Sequence, residues 1–161
     1  MSYGETSVFI SYDFDNDKEY KNLIIAWDEN NEFDFQVYDE SVDVSVDSDD
    51  AASIRRVISR KIRKSDVFLC LIGEHTHKSE WVEWEIEKAD ELDKDFAAVK
   101  IDKDNETPNA LYGKGAEWAY TFSFERVKEA INDAQKSGGY SFLEVAAGLG
   151  GLWLLKELLT G

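Results

Sequence analysis

Apolar and polar residues follow two periods along this chain. Runs of alternating or continuous apolar character predict five strands, at residues 7–12, 33–38, 66–73, 96–101 and 120–124. Between them, apolar residues spaced three and four apart predict helices, at residues 18–29, 51–64, 79–93 and 125–135. The expected core positions of the first two helices are Tyr20, Leu23, Ile24, Trp27, Ile54, Val57, Ile58 and Ile62.

Strands and helices that alternate at this spacing predict an α/β domain built on a parallel sheet, with helices on both faces. The default small version is the flavodoxin-like fold, five strands in the order 2-1-3-4-5. Ligands of such sheets bind beyond the carboxyl ends of the strands. A site is therefore expected in the loops that follow Tyr12, Tyr38 and Gly73.

The helical pattern breaks at Ser137-Gly138-Gly139. This predicts a domain at residues 1–136, a linker at 137–139 and an apolar, helical tail at 140–161. The longest uncharged run of the tail, residues 145–155, is shorter than the roughly 20 residues that a membrane-spanning helix needs. Packing on the domain, self-association, partner binding and lying on a membrane all stay open. Association is favoured, with Trp153 as an anchor.

Composition excludes several classes of partner. The 161 residues carry a formal net charge of −16, which disfavours nucleic acid and anionic membrane surfaces. The single cysteine, Cys70, excludes an internal disulfide, and the first residues hold no apolar signal region, so a cytoplasmic location is expected. Asp13, Asp15 and Asp17 resemble the start of a calcium loop, but the positions that follow do not fit, and no metal is expected.

One carboxylate stands apart in the acidic stretch of residues 79–91. At about 100° per residue, the other glutamates share one water-facing stripe, and Val82, Ile86 and Ala89 form the core stripe. Glu85 instead lies at the border of the apolar face, one turn after Trp81. Ser79 is a plausible N-cap for this helix. From its position alone, Glu85 is either a site residue or a structural hydrogen-bond acceptor.

The ordered set of motifs resembles a TIR (Toll/interleukin-1 receptor) domain from about Ser7 to about Ile131. V-F-I-S-Y at residues 8–12 is similar to the first TIR box. The second strand with its following loop, V-F-L-C-L-I-G at 67–73 and W-V-E-W-E-I at 81–86 follow in TIR order and spacing. The resemblance is to the prokaryotic branch that includes the Thoeris anti-phage TIR proteins.

The resemblance implies an enzyme that cleaves the nicotinamide–ribose bond of NAD⁺, with NAD⁺ as substrate and no bound cofactor. Trp81 and Glu85 match the tryptophan and catalytic glutamate of enzymatic TIR domains. The product would be ADP-ribose or a cyclic isomer, read by a downstream nucleotide-sensing effector. Residues after the first strand would line the substrate pocket, namely Ser11, Tyr12, Asp13 and Phe14. Tyr12 and Phe14 could also serve only in packing.

Further roles are predicted around this site. His75 and His77 lie in a loop beside the expected cleft and are either substrate contacts or ordinary loop residues. By resemblance, residues 39–50, with Asp39, Glu40 and Asp43, form a gating loop. The basic helix face of Arg55, Arg56 and Arg60 is either solvated or docks on the acidic stripe of a second copy, giving a homo-oligomer or filament. The alternative to an enzyme is a non-catalytic TIR scaffold that acts by self-assembly or partner binding.

Overall fold

The computed structural model describes residues 6–29, 35–38 and 50–139, with the backbone alone at 35–38 and 137–139. The strands are β1 (Thr6–Ser11), β2 (Phe35–Tyr38), β3 (Val67–Ile72), β4 (Asp95–Lys100) and β5 (Glu117–Ala119). The helices are α1 (Lys18–Glu29), α2 (Ala51–Lys64), α3 (Glu80–Glu91) and α4 (Phe124–Gly139). Two short 3₁₀ helices lie at Thr76–Lys78 and Asn109–Leu111.

The strands form a five-stranded sheet in the order β2-β1-β3-β4-β5, and every neighbouring pair is parallel. β3 is buried along its whole length, as its uninterrupted apolar sequence V-F-L-C-L-I requires. In the register of the two central strands, Ser11 of β1 lies opposite Cys70 of β3. The prediction of an α/β domain with a parallel sheet between helices is confirmed.

Each face of the sheet carries its own hydrophobic cluster. Alternate strand residues such as Val8, Ile10, Leu69 and Leu71 pack with α1 and α4, and their neighbours Phe9, Phe68, Cys70 and Ile72 pack with α2 and α3. Fully burying a side chain of this size contributes roughly 1.5–3 kcal/mol. Two such clusters hold the helices against the sheet and thereby position the loops at the carboxyl ends of the strands.

The fifth strand lies earlier in the chain than predicted. β5 is Glu117–Ala119, and the aromatic run predicted as a strand at 120–124 forms the connection from β5 to α4 and the first residue of α4. Phe122 stacks on Trp27 with ring centroids 5.4 Å apart and meets Tyr20 edge to face at 5.1 Å. The aromatic residues of this run alternate with polar ones as in a strand, but in the structure Phe122 packs against α1 at the edge of the core.

Two predicted core positions are exposed. Leu23 of α1 is 45% exposed and Val57 of α2 is 42% exposed, whereas Lys21 of α1 is only 4% exposed. The Lys21 ammonium lies 5.7 Å from the centroid of the Tyr12 ring. A long side chain with an apolar stem can therefore occupy a position that a helical wheel assigns to the surface.

The predicted linker at 137–139 belongs to a helix, because α4 continues through Ser137 and Gly138 to Gly139. The helix continues through these residues although glycine has a low helix propensity. The predicted tail, with Trp153, lies outside the described residues, and the domain boundary stays a prediction. In the described ranges, no helix is both long and apolar enough to cross a membrane.

Candidate active site

Helix α3 brings Glu85 to the carboxyl end of the sheet. Ser79 caps the helix, its hydroxyl accepting a hydrogen bond from the Val82 amide at 3.2 Å. Val82, Ile86 and Ala89 are completely buried, while the stripe of Glu80, Glu83, Glu87 and Glu91 is exposed. The predicted division of the helix is thus confirmed. Glu85 lies on the buried side, with 8% of its surface exposed.

The partner of Glu85 is Ser11, the last residue of β1. The Ser11 hydroxyl donates a hydrogen bond of 2.7 Å to Glu85 Oε1, and the serine is fully buried. Ser11 is paired in register with Cys70, so strand order and helix packing together place the hydroxyl beneath the carboxylate. Within the described residues, no ion pair to Glu85 is present.

Burial dominates the electrostatics of this carboxylate. It raises the pKa of Glu85 from its ordinary value of 4.5 to about 8, and the hydrogen bond from Ser11 offsets part of that rise. Burial, reinforced by the nearby Glu85, also raises the pKa of Cys70. Near neutral pH the Glu85 carboxyl is therefore largely protonated. A positive charge placed beside it would favour the carboxylate.

The other predicted residues of the first loop have different surroundings. Tyr12 belongs to the hydrophobic cluster on the α1 and α4 face, and Phe14 packs against it with ring centroids 6.3 Å apart. The Asp13 carboxylate accepts hydrogen bonds from the Asn16 side chain at 2.6 Å and the Asp15 amide at 3.2 Å. Of the four residues, Ser11 is hydrogen-bonded to Glu85. Tyr12 and Phe14 make packing contacts, and Asp13 makes hydrogen bonds within the loop. A substrate role for those three stays a prediction.

The loop between β3 and α3 contains His75 and His77 on either side of a buried threonine. His75 is exposed, and His77 Nε2 lies 3.2 Å from Glu106 Oε2. Thr76 is 1% exposed and donates a hydrogen bond of 3.3 Å to Asp17, which is also buried. Sequence reasoning considered Asp17 only as part of a calcium loop. The contact joins residues 59 positions apart, so local sequence carries no signal for it.

Trp81 and Trp84 precede Glu85 on α3 and contact an arginine from α2. The two indoles meet nearly perpendicularly, with centroids 5.7 Å apart. The guanidinium carbon of Arg55 lies 5.5 Å from the Trp81 ring and 5.8 Å from the Trp84 ring. Its Nε is buried and has no hydrogen-bond partner. Arg55 is half-buried and contacts both indoles, and its part in self-association stays a prediction.

The remaining predicted residues fall into two groups. Arg56 and Arg60 are exposed on α2, and their part in self-association stays a prediction. Asp39, Glu40 and Asp43 of the predicted gating loop lie outside the described residues. Among the residues that the structure does describe, no three His, Cys, Asp or Glu side chains cluster as metal ligands would.

The fold and the order of its motifs define a TIR-like domain. The family model described as "Thoeris protein ThsB, TIR-like domain" matches residues 9–106. The chain therefore belongs to the Thoeris ThsB TIR-like family, as the sequence motifs predict. Membership fits a TIR-like domain of anti-phage defence. Among proteins with curated descriptions, none matches this chain.

Solved structures with the same fold include two enzymes. A 2-deoxyribosyltransferase from Bacillus psychrosaccharolyticus has a TM-score of 0.54 at 14% identity, covering 76% of this chain and 90% of the enzyme. A CMP N-glycosidase from Clostridium botulinum has a TM-score of 0.51 at 16% identity, covering 84% of this chain and 100% of the glycosidase. At these identities the likeness establishes the fold.

Proposed function

We propose that this TIR-like domain cleaves the nicotinamide–ribose bond of NAD⁺ and that Glu85 is the catalytic carboxylate. The observation that carries the proposal is the placement of Glu85: buried, beside Trp81, and hydrogen-bonded to Ser11 at the carboxyl edge of the sheet. A buried carboxyl with a raised pKa at the expected binding edge is typical of functional sites. Structural carboxyls in ordinary networks more often have a cationic partner.

The reaction needs one well-placed negative charge. As the bond between ribose C1′ and nicotinamide nitrogen breaks, its electron pair goes to the ring and neutral nicotinamide leaves. Positive charge then builds on the ribose, as in glycoside cleavage. Glu85, ionised, stabilises this charge. Water adds to C1′ and releases a proton to give ADP-ribose, or an adenine nitrogen or ribose hydroxyl of the same molecule adds to give a cyclic isomer.

The electrostatics of the site suit a cationic substrate. In the free protein Glu85 is largely protonated at neutral pH, because burial disfavours its charge. The pyridinium of NAD⁺ would favour ionisation of the carboxyl as it binds. The positive charge on the ribose is largest in the transition state, so the interaction is strongest there and lowers the barrier. Ser11 holds the carboxylate oriented before the substrate arrives.

The comparisons support this class of chemistry in a general way. Both structural neighbours are named for reactions at the bond between a base and its sugar, a deoxyribosyl transfer and an N-glycosidase reaction. NAD⁺ cleavage belongs to the same class. The proposal includes a nucleotide product that signals to a downstream effector, a cytoplasmic location and a homo-oligomer as the working form.

Nicotinamide release from NAD⁺ tests the proposal. Glu85→Gln keeps the size and the acceptor for Ser11 but removes the charge, so we expect a rate lower by on the order of 10²–10³-fold. Glu83→Gln is the matched control, because Glu83 is exposed on the same helix. Equal release by wild type and Glu85→Gln would reject Glu85 as the catalytic group. No release by any of the three, at high concentration and with infected-cell lysate, would favour the scaffold alternative.

A further inference from the structure

Three residues from two loops meet at the carboxyl end of the central strands. Asp17 ends the connection between β1 and α1, Gly73 follows β3, and Thr76 begins the 3₁₀ helix that precedes α3. The Thr76 hydroxyl accepts a hydrogen bond of 2.7 Å from the Gly73 amide and donates one of 3.3 Å to Asp17 Oδ2. One buried hydroxyl thus ties both loops to the end of the central strand.

The Asp17 carboxylate lies very close to the backbone of Gly73. A Cβ on Gly73 would lie 2.2 Å from Asp17 Oδ2 and 2.5 Å from Oδ1, well inside contact distance. A side chain at position 73 would therefore displace the Asp17 carboxylate and disturb its contact with Thr76. Asp17 and Thr76 are 6% and 1% exposed, so the contact is shielded from water. Buried hydrogen bonds of this kind fix loop positions, because breaking them leaves polar groups unpaired.

Asp17 also stands directly before α1, where its carbonyl accepts hydrogen bonds from the Tyr20 and Lys21 amides at 3.1 and 3.4 Å and where aspartate is a preferred residue type. Its burial and the neighbouring Asp13 both raise its pKa, while Thr76 and the charge of the nearby His75 act in the opposite direction. A buried carboxyl next to a second one costs stability unless hydrogen bonds such as that from Thr76 compensate. The carboxyl thus joins the start of α1 to the loop after β3, and both segments border the candidate site.

Hydrogen bonds also connect Thr76 to helix α3, which carries Glu85. The Ser79 amide donates a hydrogen bond to the Thr76 carbonyl at 3.0 Å, and Ser79 caps α3. A path of direct contacts therefore runs from Asp17 through Thr76 and Ser79 to the helix that carries Glu85. On the other side of Asp17, the chain leads back through the first loop to Ser11. One contact therefore fixes the positions of both loops that would face the substrate.

We propose that Asp17, Thr76 and Gly73 form a latch that fixes the two loops in the geometry that binds substrate, with Asp17 and Thr76 as positioning residues. This inference rests on the proposed function for its substrate, NAD⁺. The latch does not touch Glu85 or its bond to Ser11. Its loss therefore loosens substrate binding more than it slows the chemical step.

Thr76→Val and Thr76→Ser test the latch, since valine keeps the shape without the hydroxyl and serine keeps the hydroxyl. Thr76→Val removes both hydrogen bonds of the hydroxyl, so we expect the KM for NAD⁺ to rise at least about three- to tenfold, with kcat within about twofold. Amide hydrogen exchange in residues 73–79 should accelerate. Thr76→Ser should restore both values toward wild type, which a general loss of packing would not do.

Several results would overturn the latch. An unchanged KM and unchanged exchange in Thr76→Val would do so, and so would a fall in kcat alone. Asp17→Ala beside Asp17→Asn repeats the comparison from the other side of the contact, should the valine variant fail to fold. If wild type releases no nicotinamide, the proposed function fails, and the exchange comparison then decides by itself whether the latch holds the loops.

Discussion

Ser11 and Glu85 meet through a hydrogen bond of 2.7 Å although 74 positions separate them in the chain. The serine ends β1 and the glutamate lies on the second turn of α3, and both are buried. This is the contact that lowers the pKa of Glu85 against the rise caused by burial. The ionisation of the candidate catalytic group is therefore set by two elements that only the fold brings together.

The proposed nicotinamide release by the wild-type protein should rise with pH. The ionised form of Glu85 is the active one in the proposed reaction, and its pKa in the free protein is about 8. We expect kcat/KM for nicotinamide release to increase through about pH 8 and then to level off, since kcat/KM reports ionisations of the free enzyme. A profile that is flat from about pH 6 to about pH 9 would mean that Glu85 is already ionised or plays no part.

Removal of the Ser11 hydroxyl should move this profile. In Ser11→Ala the hydrogen bond that favours the carboxylate is lost, so the pKa of Glu85 rises further and the inflection of kcat/KM shifts to higher pH. The rate at neutral pH falls, and it partly recovers in alkaline buffer. Ser11→Thr retains a hydroxyl and serves as the comparison. An equal loss at every pH would assign Ser11 to substrate contact instead.

Glu85→Gln should gain stability relative to wild type as the pH rises. The folded-state pKa of Glu85 is raised, so between about pH 4.5 and about pH 8 the folded protein holds a proton that the unfolded chain releases. Across this window wild type loses up to about 1.4 kcal/mol per pH unit, whereas glutamine has no proton to lose. Urea unfolding at several pH values measures the difference, with Glu83→Gln as control. A constant difference would contradict the raised pKa.

Arg55 should stabilise the fold rather than an interface between copies. Its guanidinium lies against Trp81 and Trp84, and a cation–π contact contributes about 0.5–2 kcal/mol. Arg55→Met should lower the free energy of unfolding by about that amount and change the tryptophan fluorescence. Arg56→Gln, altered on the exposed side of the same helix, should do neither. Loss of self-association in Arg55→Met with unchanged stability would instead support the predicted role of Arg55 in self-association.

Part of the candidate site can be predicted from the hydrophobic periodicity of the sequence. The helical wheel of residues 79–91 separates the exposed glutamates from Glu85, because a helix repeats every 3.6 residues and its faces follow from spacing alone. The same reasoning fails at Leu23 and Val57, which are exposed, and at Lys21, which is buried. A helical wheel identifies the apolar face of a helix. The elements that pack against the helix decide which residues at the borders of that face are buried.

The chain by itself determined its class and its family. Alternating strand and helix patterns specify a parallel α/β sheet, and the order of the motifs identifies a TIR-like domain, because both are properties of local sequence. Tertiary structure alone decided that Ser11 supports Glu85, that Thr76 joins Asp17 to Gly73, and that Arg55 is held by two indoles. These contacts depend on strand register and helix packing across distant segments, and no local pattern records which side chains such packing brings within hydrogen-bond distance.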